Sequence, residues 1–93
     1  MEIGKKYYVR IDEKQNTSEM TDEDFKAHFD YLKDRASDYN ITGGGFVDAP
    51  GGMIIFEANS REDAEKLASE DPIIARGFYS YELREWQIAL TKK

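Results

Sequence analysis

The sequence predicts a single α+β domain of ferredoxin-like type: a βαββαβ chain whose two helices cover one face of an antiparallel sheet. Three observations carry that prediction. Alternation with a period of two residues marks a strand near each end of the chain. Two segments with helical spacing each open at a capping pattern. Between them lie two short strand-like runs, ITGGGFVD and GGMIIFEA, joined by a turn over Ala49-Pro50-Gly51-Gly52. At 93 residues the chain is expected to form one domain over 1–93.

In order, KKYYVRI (5–11) carries Tyr7, Val9 and Ile11 on one face and Tyr8 and Arg10 on the other. DEKQNTSEM is polar and reads as a loop. Thr21 is the expected N-cap of the first helix, with Asp22 and Glu23 in the first turn and Asp24 three residues on. Phe25, Phe29, Leu32, Ala36 and Tyr39 then keep helical spacing to about residue 39, with Asn40 and Gly43 to Gly45 beyond the end. Ser60 followed by Asp63 opens the second helix, SREDAEKLASE, with Ala64, Leu67 and Ala68 facing inward. The last strand runs from about residue 78 to 90, with Tyr79, Tyr81 and Leu83 on one face and Trp86 and Ile88 on the other. That change of parity reads as a bulge near Arg84-Glu85 or as burial on both faces.

Met53-Ile54-Ile55-Phe56 is apolar at both parities, and such a strand expects cover on both faces. Two helices can cover only one, so the second face is expected to pack on a ligand or on another copy of the chain. The reading is a homodimer.

Composition narrows the function. The chain is 40% hydrophobic and 34% charged with a net charge of -6, a globular profile whose sign argues against nucleic acid and anionic membrane as partners. There is no cysteine, which excludes disulfides and thiolate chemistry, and one histidine leaves no spaced metal-ligand set. No signal-like h-region opens the chain and no apolar run reaches membrane-spanning length. The expectation is a cytoplasmic protein with neither metal nor cofactor.

Two residues are candidates for chemistry. On a helical wheel the lone histidine, His28, falls at the border of the stripe centred on Phe25, Leu32, Ala36 and Phe29, a place for an ordinary amphipathic residue or for a half-buried proton carrier. Asp71, in EDPII, is either the cap of a short helical turn that Pro72 begins or a functional carboxylate. The TGGGF glycines match no phosphate-binding fingerprint. They supply backbone freedom at a strand start, or leave room for a ligand.

Taken together, the HFDYL helix, TGGGF, FEANSREDAEKLASEDP and IIARGFYSYELREW resemble the YCII-related domain family of the dimeric α/β-barrel type. The resemblance spans nearly the whole chain and is densest from Gly52 to Trp86. It implies that His28 and Asp71 meet at a cleft as a catalytic pair, and that the protein dimerises through the open sheet face. Some relatives act on small aromatic compounds, including chloride elimination from a chlorinated hydroxyquinol. The chain departs from the family pattern twice. Gly44-Gly45 stands where Gly-Pro is common, and Asp24 and Phe25 stand where many members carry an arginine one turn before the histidine. Loss of that cation weighs against a negatively charged substrate, with Arg76 and Arg84 as candidate replacements.

The expected chemistry is acid-base catalysis by His28, oriented by Asp71, in a lyase or isomerase step on a small cyclic or aromatic molecule. Tyr8, Gly44, Gly45, Phe46 and Trp86 are the expected substrate-binding residues. The rival expectation is a dimeric metabolite-binding or protein-interaction module in which His28 and Asp71 are structural.

Overall fold

The computed structural model describes residues 1–15 and 19–92. Its elements are β1 (Lys6–Lys14), α1 (Asp22–Tyr39), β2 (Thr42–Gly45), β3 (Gly52–Phe56), α2 (Arg61–Ser69), α3 (Pro72–Ala75) and β4 (Tyr79–Gln87). The sheet runs β2-β3-β1-β4 with every neighbouring pair antiparallel, the ferredoxin-like arrangement.

Local chemistry sets the helix ends. Thr21 Oγ1 accepts from the Asp24 amide at 3.1 Å while Asp24 Oδ2 accepts from the Thr21 amide at 2.9 Å, a reciprocal capping box. At the other end Asn40 takes a left-handed conformation (φ 50°), and the Ile41 amide donates to the Ala36 carbonyl. Ser60 caps α2 through the Asp63 amide at 3.0 Å. Ala64, Leu67 and Ala68 are buried as expected.

One sheet face carries the core. Ile54, Phe56 and Leu83 pack with Ala64 and Leu67, and Tyr8, Tyr31, Leu32 and Tyr39 close around them. Cross-strand partners share a face, so Tyr8, Arg10 and Asp12 point toward the helices. Tyr7, Val9, Ile11, Ile55, Met53 and Trp86 belong to the other face. The apolar set of β1 thus lies away from the helices, and Met53 and Trp86 remain about two-fifths exposed (38% and 43%).

Three expectations are corrected. The polar segment after β1 does not begin as a loop: Asp12, Glu13 and Lys14 extend β1 and pair with Tyr81, Ser80 and Tyr79. Residues 16–18 of that segment lie outside the described residues. The last strand has no bulge, since its register against β1 is unbroken from Tyr79 to Gln87. Its parity change reflects two apolar faces, and Ile88, beyond the strand, is buried where its backbone pairs with Lys5 and Gly4. Finally, the inward stripe of α1 runs through Ala27, His28, Tyr31, Leu32, Arg35, Ala36 and Tyr39. Phe25 and Phe29 stand exposed at its edge, and His28 lies in the middle of the stripe.

Candidate functional site

The site is assembled around Asp71. The sequence Asp-Pro starts α3 because Pro72 lacks an amide hydrogen that would need a partner, while Asp71 Oδ1 accepts from the Ile73 amide at 3.1 Å. The cap leaves the carboxylate fully buried (0% exposed), with capacity for further donors.

Two other elements supply them. From the centre of β1, Arg10 donates Nη1 to Asp71 Oδ2 at 3.0 Å and grips Asp12 with Nε and Nη2, both at 2.7 Å. From α1, His28 Nδ1 lies 2.9 Å from Asp71 Oδ1 and 2.8 Å from Oδ2. The result is a chain of charge, Asp12–Arg10–Asp71–His28, that ties β1, α3 and α1 together.

Its electrostatics follow from burial. Desolvation works against the charge on Arg10, but the hydrogen bond and charge of Asp12, joined by Asp71, outweigh it and hold its pKa above the usual arginine value. Burial pushes the Asp12 carboxyl upward against the pull of Arg10. One guanidinium facing two carboxylates leaves one negative charge, so a proton on His28 brings the cluster to neutrality. Tyr31, whose phenol burial pushes up to about 12, stays protonated, donates to the Leu67 carbonyl at 2.7 Å and lies beneath the Arg35 guanidinium. It is packing, not a proton carrier.

With Nδ1 committed to an acceptor-only carboxylate, that nitrogen carries the hydrogen and Nε2 is the basic nitrogen. Among the described residues Nε2 has no protein partner, and no buried side-chain nitrogen or oxygen is left unpaired, so Nε2 keeps solvent access. His28 also lines a cleft of about 330 Å³ between α1 and the glycine-rich strands. Phe25, Phe29 and Leu32 wall one side, and Gly43, Gly45 and Gly52 floor the other.

The floor is bare for two reasons. A Cβ at Gly43 would collide with the Ile54 side chain, so β2 and β3 approach only because it is glycine. A Cβ at Gly45 would meet only the Gly51 carbonyl oxygen, at 3.8 Å, so its missing side chain leaves open space.

The structure brings His28 and Asp71 together although 43 residues separate them, and sets Gly44 and Gly45 along the same cleft. It places three other expected residues elsewhere. Tyr8 stacks on Phe56 in the core at 5.9 Å because its parity aims it beneath the helices. Trp86 sits on the opposite sheet face beside Val9, Met53 and Ile55. Phe46 follows the end of β2, half-exposed and outside the cleft lining. Neither candidate replacement cation enters the site: Arg76 pairs with Asp24 at 2.8 Å, and Arg84 lies on the opposite face near Glu82. The residues that sequence reasoning missed are Arg10 and Asp12. Their signal was Arg-x-Asp at one parity of a strand, two charges that would need each other if that face were buried.

A model of the YCII-related domain matches residues 6–87, nearly the whole chain. This protein belongs to the YCII-related domain family. Among YCII-related proteins, it is 29% identical over 73 residues to "Uncharacterized protein YjpA" of Bacillus subtilis (strain 168), covering 77% of this chain and 86% of that one. In fold it is similar to 5-chloro-2-hydroxyhydroquinone dehydrochlorinase (TftG) from Burkholderia phenoliruptrix AC1100, in a structure complexed with 2,5-dihydroxybenzoquinone. The TM-score is 0.74 at 19% identity, over 87% of this chain and 93% of the other. The fold expected from the resemblance is therefore the fold found. Among the described residues of this YCII-related chain, no helix is long and apolar enough to cross a membrane.

Proposed function

We propose that this protein is an enzyme that moves a proton on a small cyclic or aromatic compound, in a lyase or isomerase step, with His28 as acid-base group and Asp71 as its partner. One observation carries the reading. His28 holds Nδ1 against the buried Asp71 carboxylate at 2.8–2.9 Å while Nε2 finds no partner among the described residues and faces a ring-sized cleft. In the proposed step Nε2 takes a proton from a carbon or hydroxyl of the bound ring. The electron pair left behind shifts into the ring and either expels a leaving group or is reprotonated at another position. Asp71 stabilises the imidazolium that forms, and Arg10 and the Ile73 amide hold Asp71 in place.

The fold neighbour's activity on an aromatic compound supports the substrate class. The open sheet face, with Val9, Ile55, Met53 and Trp86 together, supports a homodimer. A cytoplasmic location is part of the same proposal, and the absence of cysteine is compatible with that reducing compartment.

A second reading is favoured by one specific observation: Asp71 already caps α3 and neutralises Arg10, so it has structural work without any substrate. On that reading the protein is a dimeric binding module. Proton exchange separates the two. Small cyclic enols, ketones and hydroxylated rings are incubated with the protein in D2O and followed by NMR. Enzyme-dependent exchange at ring or α-carbon positions that disappears in His28→Ala supports the proton-transfer reading. Exchange unchanged in His28→Ala, or binding without any exchange across the panel, favours the binding module.

A further inference from the structure

We infer that Lys33 selects the ligand of the His28 cleft, which takes a flat ring carrying an ionised oxygen, with that oxygen on Lys33 and the opposite end of the ring at His28 Nε2. The inference rests on the proposed reading of the cleft and deepens it by naming the charge of the substrate.

The argument starts with the cations near the site. Arg10 is fully buried, and its Nε, Nη1 and Nη2 are all engaged by Asp12 and Asp71, so it offers nothing to a ligand. Arg76 holds Asp24, and Arg84 lies on the other face of the sheet. Lys33 is different. Among the described residues lining the cleft it is the one lysine or arginine, and it is exposed. No salt bridge among the described residues engages it; the neighbouring Asp30 carboxylate pairs with Lys26 at 2.6 Å and senses the charge of Lys33 without contact.

The cleft is polarised in consequence. Asp12 and His28 line it together at the acidic end, where the buried Asp71 carboxylate stands behind the imidazole. Lys33 follows five residues later on α1, about 7.5 Å along the helix axis. The two residues also stand about 140° apart around the helix, so the long lysine stem is what carries the ammonium to the lining of the same cleft. A para-disubstituted six-membered ring, entering with its anionic end at Lys33, keeps its charge away from the carboxylates and presents its far substituent to Nε2. Flatness follows from the walls: the exposed rings of Phe25 and Phe29 face a floor of glycine backbone, a slot suited to aromatic stacking.

The test compares 4-hydroxybenzoate with 4-hydroxybenzamide, the same ring with and without the charge, by titration of the full chain's amide NMR signals. The wild type is expected to prefer the benzoate, with shifts at both His28 and Lys33. Lys33→Met is expected to weaken benzoate binding about tenfold or more, to leave benzamide binding unchanged, and to be rescued by Lys33→Arg. Unaltered benzoate binding in Lys33→Met, or benzamide binding as tight as benzoate in the wild type, overturns the inference and leaves the ring-binding cleft standing. Failure of both probes to perturb the cleft overturns the inference and the proposed reading together.

Discussion

Arg10 and His28 aim at the same atom. Arg10 Nη1 and His28 Nδ1 reach Asp71 Oδ2 at 3.0 and 2.8 Å from opposite elements, a sheet strand and a helix. The ring nitrogen that orients the imidazole and the guanidinium that anchors the sheet therefore share one acceptor. A change at either end is felt at the other.

Arg10 is accordingly the residue whose loss should cost most. Arg10→Met leaves two buried carboxylates without their counter-ion, and breaking a buried ion pair by removing one partner costs about 3–5 kcal/mol. Arg10→Lys should recover only part of this, because a lysine ammonium cannot supply the forked grip on Asp12. Urea unfolding midpoints of the three proteins check the order. Equal midpoints for wild type and Arg10→Met would contradict the charge chain.

The tautomer of His28 is the direct report on its pairing. In the wild type the ring should carry its hydrogen on Nδ1, with Nε2 unprotonated above the imidazole's titration range. Ring nitrogen-15 chemical shifts distinguish the two nitrogens, and a single histidine needs no further assignment. In Asp71→Asn the preference for Nδ1–H should weaken, since the amide can also act as donor. An Nε2–H tautomer in the wild type would remove the proposed base.

Two glycines on the same strand should respond differently. Gly43→Val drives a side chain into Ile54 and should destabilise the fold by about 1–3 kcal/mol, an overpacking cost. Gly45→Val meets open space and should leave the unfolding midpoint close to wild type while filling the cleft and abolishing ligand binding. Paired denaturation and ligand titration test this. A Gly45→Val protein that still binds would mean the ligand sits elsewhere.

Acid should loosen the start of α1. The Thr21 amide, then the Thr21 hydroxyl and Arg76, hold the Asp24 carboxyl below the usual aspartate value. A depressed folded pKa contributes stability that is present above the unfolded value of about 3.9 and lost as pH falls through the folded one. Asp12 runs the other way: burial raises its pKa, so its cost at neutral pH is relieved on protonation. Asp24→Asn should therefore lower stability at pH 7 and converge with wild type in acid, as measured by unfolding midpoints against pH. Parallel curves would dismiss Asp24 as a source of the acid dependence.

Much of the fold was legible because its signals are local. Thr21 with Asp24, Ser60 with Asp63 and Asp71 before Pro72 each announce a helix start within four residues, and each does what its chemistry requires. Facing is not local. Alternation in β1 separates Tyr7, Val9 and Ile11 from Tyr8 and Arg10, but does not say which set the helices cover. The natural guess puts the helices over the aliphatic set, and the chain puts them over the other, while Tyr7 and Val9 are buried on the far face. Arg10 and Asp12 became visible as site residues only once that choice was made. For the same reason Phe25 and Phe29 read as the centre of a buried stripe, when a cleft leaves them at its rim. The approach of His28 to Asp71 was implied by family resemblance alone, since neither residue's neighbours in the sequence point to the other.

The double employment of Asp71 has an evolutionary consequence. An aspartate that caps a helix and balances a buried arginine stays under selection for folding after any catalytic use has lapsed. A descendant that abandoned its reaction would be expected to keep the arginine, both aspartates and the Asp-Pro turn, and to drift at residue 28, whose imidazole neither caps a helix nor neutralises the arginine. Across descendants of this scaffold, the aspartate would report that the fold has been inherited, and the histidine whether the proposed chemistry has.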